Sequence, residues 1–432
     1  MSITLDGPAV PGSLRRINRL AILRLLRQMG PISIPALAKA KNISRPTVAK
    51  LVDELERDGL AMAVGSTQPA ASGGKPAVLY QFNAAGVRCG AIFLRVDSAQ
   101  FAVMDGNGRA LALVERTLGP DTRPAPVIDV LIETFREMLA TLALTPDQLI
   151  GIGVGVPGLA SQQRGIVHLA PHMPEWIDVP LGEQLALALD TQVWVGNDSH
   201  VQALVERQFG LGRDGKEFIT VQSGIGLSAG YFLRDALYRG YADTAGEIGH
   251  MTVQEDGPPC SCGNQGCWET LASTTALVES ACRQPNGGYA LPEWLAARCA
   301  SMGSLASGSA PTPHEVASIA EAIFAAAQDG QPEAQELVRR HAYHFGVGVA
   351  NIVNALNPGR IIIWGASTAG GALFLEEVRA VVRRRSMVRP REVCEIMFSQ
   401  LGQNVGLLGA ASLALTALFD GAITDSSSTS RA

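Results

Sequence analysis

Apolar residues recur at helical spacing near the start of the chain and at strand spacing further on, and that change divides it. Between Leu14 and Met29, Ile17, Leu20, Leu23 and Leu26 recur every third position with Arg15, Arg16, Arg19, Arg24 and Arg27 between them, which predicts an amphipathic helix. Gly30 and Pro31 stop it. Ser33 begins a short helix through Lys39, with Pro35 tolerated in its first turn. Ser44 caps a third helix over 45–58, whose apolar stripe is Val48, Leu51, Val52 and Leu55, and Gly59 ends it. Residues 61–64 and 78–82 read as two strands flanking a Gly/Ser/Pro-rich tip that carries Lys75.

From about Ala85 strands and helices alternate, the pattern of α/β layers. Strands are expected over 90–104 and 110–117, around the turn Asp105-Gly106-Asn107-Gly108, then a helix over 125–143 and a buried strand over 149–156. A short strand at 193–195 leads to Gly196-Asn197-Asp198 and a helix over 199–209. A second half restarts with a strand at 218–222, the turn Ser223-Gly224-Ile225-Gly226 and a strand at 228–233, and later a strand at 360–364 opens onto Gly365-Ala366-Ser367. Residues 284–313, broken by Gly, Pro and Ser, read as an insertion or loop. The resulting division is a flexible start over 1–13, a small helical domain over 14–83, an α/β region over 84–420 and a disordered tail over 421–432.

Composition narrows the class. A chain of 432 residues is long enough for two or three domains, and with 47% hydrophobic but 5% aromatic residues its cores must be mainly aliphatic. No apolar run approaches the ~20 residues of a membrane span, and residues 406–419, the longest candidate, read as a packed helix. Met1 to Val10 lacks the basic start and apolar centre of a signal peptide, so a cytoplasmic protein is expected. Residues 1–80 hold 11 Lys/Arg against 5 Asp/Glu, a net +6, which leaves −11 for the rest of a chain whose total is −5. A basic module ahead of an acidic body suggests a nucleic-acid contact at the N-terminus.

That module has the order of a winged helix-turn-helix, whose third helix enters the major groove. Its exposed N-terminal face offers Ser44, Arg45, Thr47 and Lys50, while Asp53, Glu54 and Glu56 fall further from the groove. Lys75 on the wing reaches phosphate or the minor groove, or is a solvated loop lysine. The alternative for the whole module is a small helical bundle that docks on a protein.

Residues 246–270 concentrate the chemistry. His250 lies ten residues before Cys260, which begins a C-x-C-x4-C run of Cys260, Cys262 and Cys267. Three thiolates and one imidazole complete a closed tetrahedral Zn²⁺ site, and Gly263 and Gly266 allow the turns that bring the sulfurs together. The alternatives are three free cysteines, or one disulfide with a spare thiol. Glu247 and Glu269 flank the ligands, and a metal-clamped loop fixes both carboxylates relative to the imidazole, as recognition of hydroxyl groups requires. Singly, each reads better as a solvated surface acid.

With a winged helix in front and EIGH followed by CSCGNQGCWE, the chain resembles the ROK family of bacterial repressors and sugar kinases over nearly its whole length. The resemblance implies two actin-like, ribonuclease-H-like domains of hexokinase type around a cleft. It also implies that Asn197, Asp198, Glu247, His250 and Glu269 contact sugar hydroxyls, with Asp198 at the position of the kinases' general base and His250 shared between zinc and sugar. The nucleotide side departs from the family pattern. Where the kinases have D-x-G-G-T, this chain has Phe93-Leu94-Arg95-Val96-Asp97, the turn at Ser223 loses glycines to Leu227 and Ser228, and the late glycine cluster is Gly365-Ala366-Ser367. The expectation is a homodimeric, sugar-controlled transcriptional regulator, most simply a repressor, that binds operator DNA and has no kinase activity. The rivals are an ATP-dependent sugar kinase with a DNA-binding appendage and a zinc-dependent protein that binds a transport or signalling partner.

Overall fold

Side-chain caps set the helix boundaries of the N-terminal module as expected. The structure, a computed structural model, describes residues 11–67, 76–170, 173–285, 288–299, 310–402 and 405–421. The expected wing tip with Lys75, the first ten residues and the tail beyond 421 lie outside these. Helix α1 (Pro11–Met29) begins ahead of the expected start, and strand β1 (Ile32–Ser33), helix α2 (Ile34–Lys41) and helix α3 (Arg45–Arg57) follow. Ser33 accepts from the Ala36 amide at 3.4 Å and Ser44 from the Thr47 amide at 3.3 Å. Strands β2 (Ala61–Ser66) and β3 (Val78–Phe82) pair antiparallel, and β1 adds to β3.

The stripe on α3 is buried as read, and α3 packs on α2 and α1, where Leu37, Ile22, Leu23 and Leu26 are buried too. On α1 the reading needs correction, since Ile17 is 61% exposed while Ile22 and Leu25 are buried. The reason is a second packing partner. The end of the C-terminal helix Val405–Asp420 lies against α1: Arg24 binds the Phe419 carbonyl at 3.0 Å and Asp420 at 2.9 Å, Arg16 reaches the Gly421 carbonyl, and the Arg27 guanidinium sits 4.3 Å over the Phe419 ring. Phe419 also meets Phe82 edge-on at 5.3 Å. Several α1 arginines are therefore committed to the protein's own C-terminus.

The chain divides into two compact units, one running to Gly196 and resuming at Ala410, the other Asn197–Gly409. In the first, after the winged helix, come β4 (Arg88–Leu94), β5 (Ser98–Asp105), β6 (Ala110–Thr117), α4 (Pro124–Thr141) and β7 (Ile152–Val156). The short strands β8 (Leu159–Ser161), β9 (Ile166–Leu169) and β10 (Ile177–Val179) form a separate sheet, followed by α5 (Leu181–Leu189) and β11 (Val193–Asn197). The main sheet has the order β11-β7-β4-β5-β6, with β4, β5 and β6 antiparallel and β7 parallel to β4. The single strand expected over 90–104 is two, because the chain turns at residues 95–97, where the Arg95 amide bonds the Ser98 carbonyl at 2.8 Å. Phe101, Phe135, Val154, Leu185 and Val195 fill the core.

The second unit contains α6 (Asp198–Phe209), β12 (Phe218–Ser223), β13 (Leu227–Leu233), β14 (Ala236–Tyr238), α7 (Glu269–Ala272), α8 (Thr274–Cys282), α9 (Glu293–Ala296), α10 (Pro313–Gln328) and α11 (Pro332–Leu356). It continues with β15 (Arg360–Gly365), α12 (Gly371–Arg385), α13 (Val388–Val393), β16 (Glu395–Phe398) and the first residues of α14 (Val405–Asp420). Its sheet order is β14-β13-β12-β15-β16, with β12 to β14 antiparallel and β15 and β16 parallel to β12. By order of appearance both sheets read third, second, first, fourth, fifth, so one plan occurs twice, as the actin-like expectation requires. Part of the stretch read as an insertion belongs to the core: Leu295 and Cys299 are buried among the residues packed around Ile219, Phe345 and Phe374. No described helix is long and apolar enough to cross a membrane.

Candidate effector and metal site

Every residue expected to contact an effector lies in the second unit. Asn197 caps α6: its Oδ1 accepts from the Ser199 amide at 2.8 Å, the His200 amide at 3.4 Å and the Ser199 hydroxyl. The oxygen is thereby committed to the helix, and the Asn197 amide donates to the Asp198 carboxylate. Burial pushes the Asp198 carboxyl up to about 6; the Ser199 amide pulls it down, Glu247 pushes it up, and the side-chain amides of Gln222 and Asn197 pull it down. Gln222 was not anticipated. The Ser228 hydroxyl donates to its Oε1 at 2.8 Å and so turns its amide towards Asp198.

The loop 245–250 is fixed from two sides. Gly246, at φ +121°, packs so closely on β13 that a Cβ would lie 2.1 Å from the Ala229 carbonyl, and the Ala229 amide bonds the Gly246 carbonyl at 2.8 Å. Buried His200 holds the Ala245 carbonyl through Nε2 at 2.8 Å. No periodicity or motif in the sequence singles out His200. Glu247 then stands 3.9 Å from His250 Nε2, and burial raises its carboxyl, with His250 lowering and Glu269 raising it further.

His250, Cys260, Cys262 and Cys267 converge, with one ligand atom from each lying within 4.8 Å of all the others, a set that can hold a metal ion. His250 Nδ1 is 3.6 Å from Cys260 Sγ, and Cys262 Sγ is 3.7 Å from Cys267 Sγ. Sulfurs 2.3 Å from one tetrahedral zinc lie about 3.8 Å apart, so donor type and spacing both fit that ion. With Nδ1 turned to the sulfurs, Nε2 faces Glu247. Gly263 and Gly266 have φ of +91° and +65°, and a Cβ on Gly266 would lie 1.6 Å from the Gln254 carbonyl, so the turns do require glycine. Fully buried Trp268 anchors the end of the loop through its indole N–H to the His344 carbonyl at 2.9 Å, which leaves Glu269 Oε1 3.4 Å from His250 Nδ1.

The positions read as a damaged nucleotide site separate into two kinds. In the second unit two of the replacements turn inward: Ser367 is fully buried, 2.6 Å from the Ser223 hydroxyl and 2.8 Å from His341 Nε2, and Leu227 is buried. Ala366, beside Ser367, is exposed and Ser228 is half-buried. In the first unit Phe93, next to last in β4, is buried, and the Arg95 guanidinium lies 5.8 Å over its ring.

On the winged helix, Ser44, Arg45, Thr47 and Lys50 are all exposed on the first turns of α3. Ser33, Lys39, Ser44 and Arg45 line a concavity of about 680 Å³ between α2 and α3. The acids behind this face are partly neutralised by α1, with Arg19 paired to Asp58 at 2.6 Å and Arg15 to Glu54.

Comparison with known proteins agrees with both halves. The MarR family profile matches residues 17–62 and the ROK family profile residues 86–417. The xylose repressor of Caldicellulosiruptor bescii is 29% identical over 93% of this chain and 96% of its own length. The glucokinase of Streptomyces coelicolor is 31% identical over 72% of this chain and 92% of its own. A crystal structure of a ROK family transcriptional regulator, a homologue of the E. coli MLC protein, superposes with a TM-score of 0.77 at 26% identity, covering 95% of this chain and 98% of that one. Since the matching profile spans most of the sequence, from the first strand of the α/β region into its last helix, this chain belongs to the ROK family.

Proposed function

We propose that this protein is a sugar-responsive transcriptional repressor whose α3 reads operator DNA and whose second unit binds the sugar. What supports this is the occurrence in one chain of a winged helix presenting Arg45 and Lys50 and of a group, Asp198, Glu247, His250 and Glu269, whose chemistry suits hydroxyl recognition. The xylose repressor matches 93% of this chain and 96% of its own length, while the glucokinase matches 72% of this chain. A single helix-turn-helix reads one half-site, so the working form is at least a homodimer. The resident metal is zinc. His250, Cys260, Cys262 and Cys267 hold it, and with four protein ligands it serves as scaffold, leaving no open position for catalysis. Phosphoryl transfer is absent because Phe93, Arg95 and Val96 occupy the turn that brings backbone amides to phosphate in the kinases.

Asp198 gives this reading a pH signature. With its carboxyl raised from 3.8 to about 6, the folded protein holds a proton between about pH 4 and 6 that the unfolded chain has released, so this group's contribution to stability falls as pH rises through that window. Acceptance of a hydrogen bond from a sugar hydroxyl follows the ionised form, which is half formed at about pH 6 and complete only well above it. Titration calorimetry with the cognate sugar should show affinity falling about tenfold from pH 7.5 to pH 5, and Asp198→Asn should flatten the profile. The same preparation should release no ADP from ATP with sugar present; turnover near the ~1 s⁻¹ of ordinary kinases overturns the non-enzymatic assignment.

A further inference from the structure

Behind the sugar-contact residues, α7, α8 and α11 enclose a second cleft of about 570 Å³. Its floor is apolar, made by Leu271, Leu277 and Leu337, and its two walls each contribute a cation, Arg283 from the C-terminal end of α8 and Arg340 from α11. Neither guanidinium makes an ion pair among the described residues. His341 also lines the cleft. It is 3% exposed, its Nε2 is taken by Ser367, and its Nδ1 has no hydrogen-bond partner among the described residues. Half-buried His344 stands beside it, and the one carboxylate of the lining, Glu279, already accepts from the Tyr289 hydroxyl at 3.3 Å.

The cleft is separate from the turns that correspond to a nucleotide site. Thr275, on the opposite face of α8, donates its hydroxyl to the Ile225 carbonyl at 2.9 Å, so that face is turned to the Ser223–Gly226 turn while Leu277, Ser280 and Arg283 face the cleft. It is also separate from the effector cluster, since α7 presents Glu269 to His250 and Thr270 and Leu271 to the cleft. Unpaired guanidiniums on opposite walls of an apolar trough, with an unsatisfied imidazole nitrogen at its base, suit an anion that offers several acceptor oxygens and carries an organic body. We propose that this cleft is a second ligand site, for a small phosphate monoester whose phosphate is bound between Arg283 and Arg340 and whose organic part lies on Leu271, Leu277 and Leu337.

The test uses the full-length protein with its metal in place, in phosphate-free buffer, titrated calorimetrically with glycerol 2-phosphate, inorganic phosphate and, as the uncharged control, glycerol. Glycerol 2-phosphate should bind with a dissociation constant below about 1 mM and glycerol should not bind, with Arg283→Gln and Arg340→Gln each weakening the phosphate ester at least about tenfold. Both arginines are surface residues, and unchanged metal content verifies that each variant is folded. Glu247→Gln, which alters the effector cluster, should leave this binding intact. The proposal is overturned by an absence of binding up to about 10 mM, by binding indifferent to both arginines, or by binding abolished in Glu247→Gln, which places the anion in the effector cluster instead. The proposal does not depend on the sugar assignment, and that last arm distinguishes the two.

Discussion

Cys260→Ser should strip the protein of its metal and, with it, of its sugar response. A serine hydroxyl is not a thiolate, and three remaining donors do not close a structural zinc site. Apparent binding free energies of such sites are about 10–16 kcal/mol and are spent on folding the loop that holds the ligands. The loop from Thr252 to Gly266 has little else to hold it: Glu255 and Asp256 and the stretch Pro258 to Gln265 are exposed or half-buried, and the turns at Gly263 and Gly266 are held by backbone bonds such as Cys260 to Asn264 at 2.8 Å. Metal analysis should fall from about one zinc per chain to near none. Loss of about 3 kcal/mol should lower the melting temperature by roughly 6–12 °C. Sugar affinity should drop about 10–100-fold, because His250 and Glu269 keep their relation only while the loop is clamped. A Cys260→Ser protein that is zinc-free, equally stable and unaltered towards sugar contradicts the scaffold role.

Arg45→Ala should be the most damaging single change at the DNA surface. Arg45 is exposed at the first turn of α3, and the cap that starts this helix is made by Ser44 to Thr47, so truncation leaves the fold intact. Loss of a bidentate base contact costs about 1–3 kcal/mol and relaxes discrimination at one base pair, whereas loss of a phosphate contact weakens all sequences alike and lowers the salt slope by about one. Operator binding should therefore weaken about 5–150-fold, with the salt slope telling the two cases apart. Undiminished binding by Arg45→Ala together with Lys50→Ala removes α3 as the recognition helix.

The N-terminal module was legible because its boundaries are local: Ser33 and Ser44 cap helices, Gly59 ends one, and the α3 stripe alternates with polar residues. What the sequence did not disclose depends on packing from a distance. Ile17 is spaced like a core residue, but the end of α14 draws α1 onto a different face. The turn at Arg95 to Asp97 carries no Gly, Pro or Asn, so two strands read as one. The helix over 313–328 starts at Thr312 and Glu315, a capping box whose Thr312 amide bonds Glu315 at 2.7 Å, but the glycines and prolines just before it give that stretch the composition of a loop. At the site, the sulfur ligands and the acids were readable from spacing within one loop. Gln222 and His200 were not, because each acts through a side-chain hydrogen bond to a residue distant in sequence. The inward turn of Ser367 shows the same limit, since the position of a substitution does not reveal which way its side chain points.

Fluorescence anisotropy on the DNA upstream of its own reading frame tests at once whether one chain both reads DNA and responds to sugar. With a panel of free and phosphorylated sugars at two salt concentrations, the account predicts sequence-specific binding that weakens with salt and that one sugar shifts about 5–150-fold, a coupling of 1–3 kcal/mol. The shift should vanish in Glu247→Gln while DNA affinity without sugar is kept. Specific binding that no sugar alters, or no specific binding at all, contradicts it.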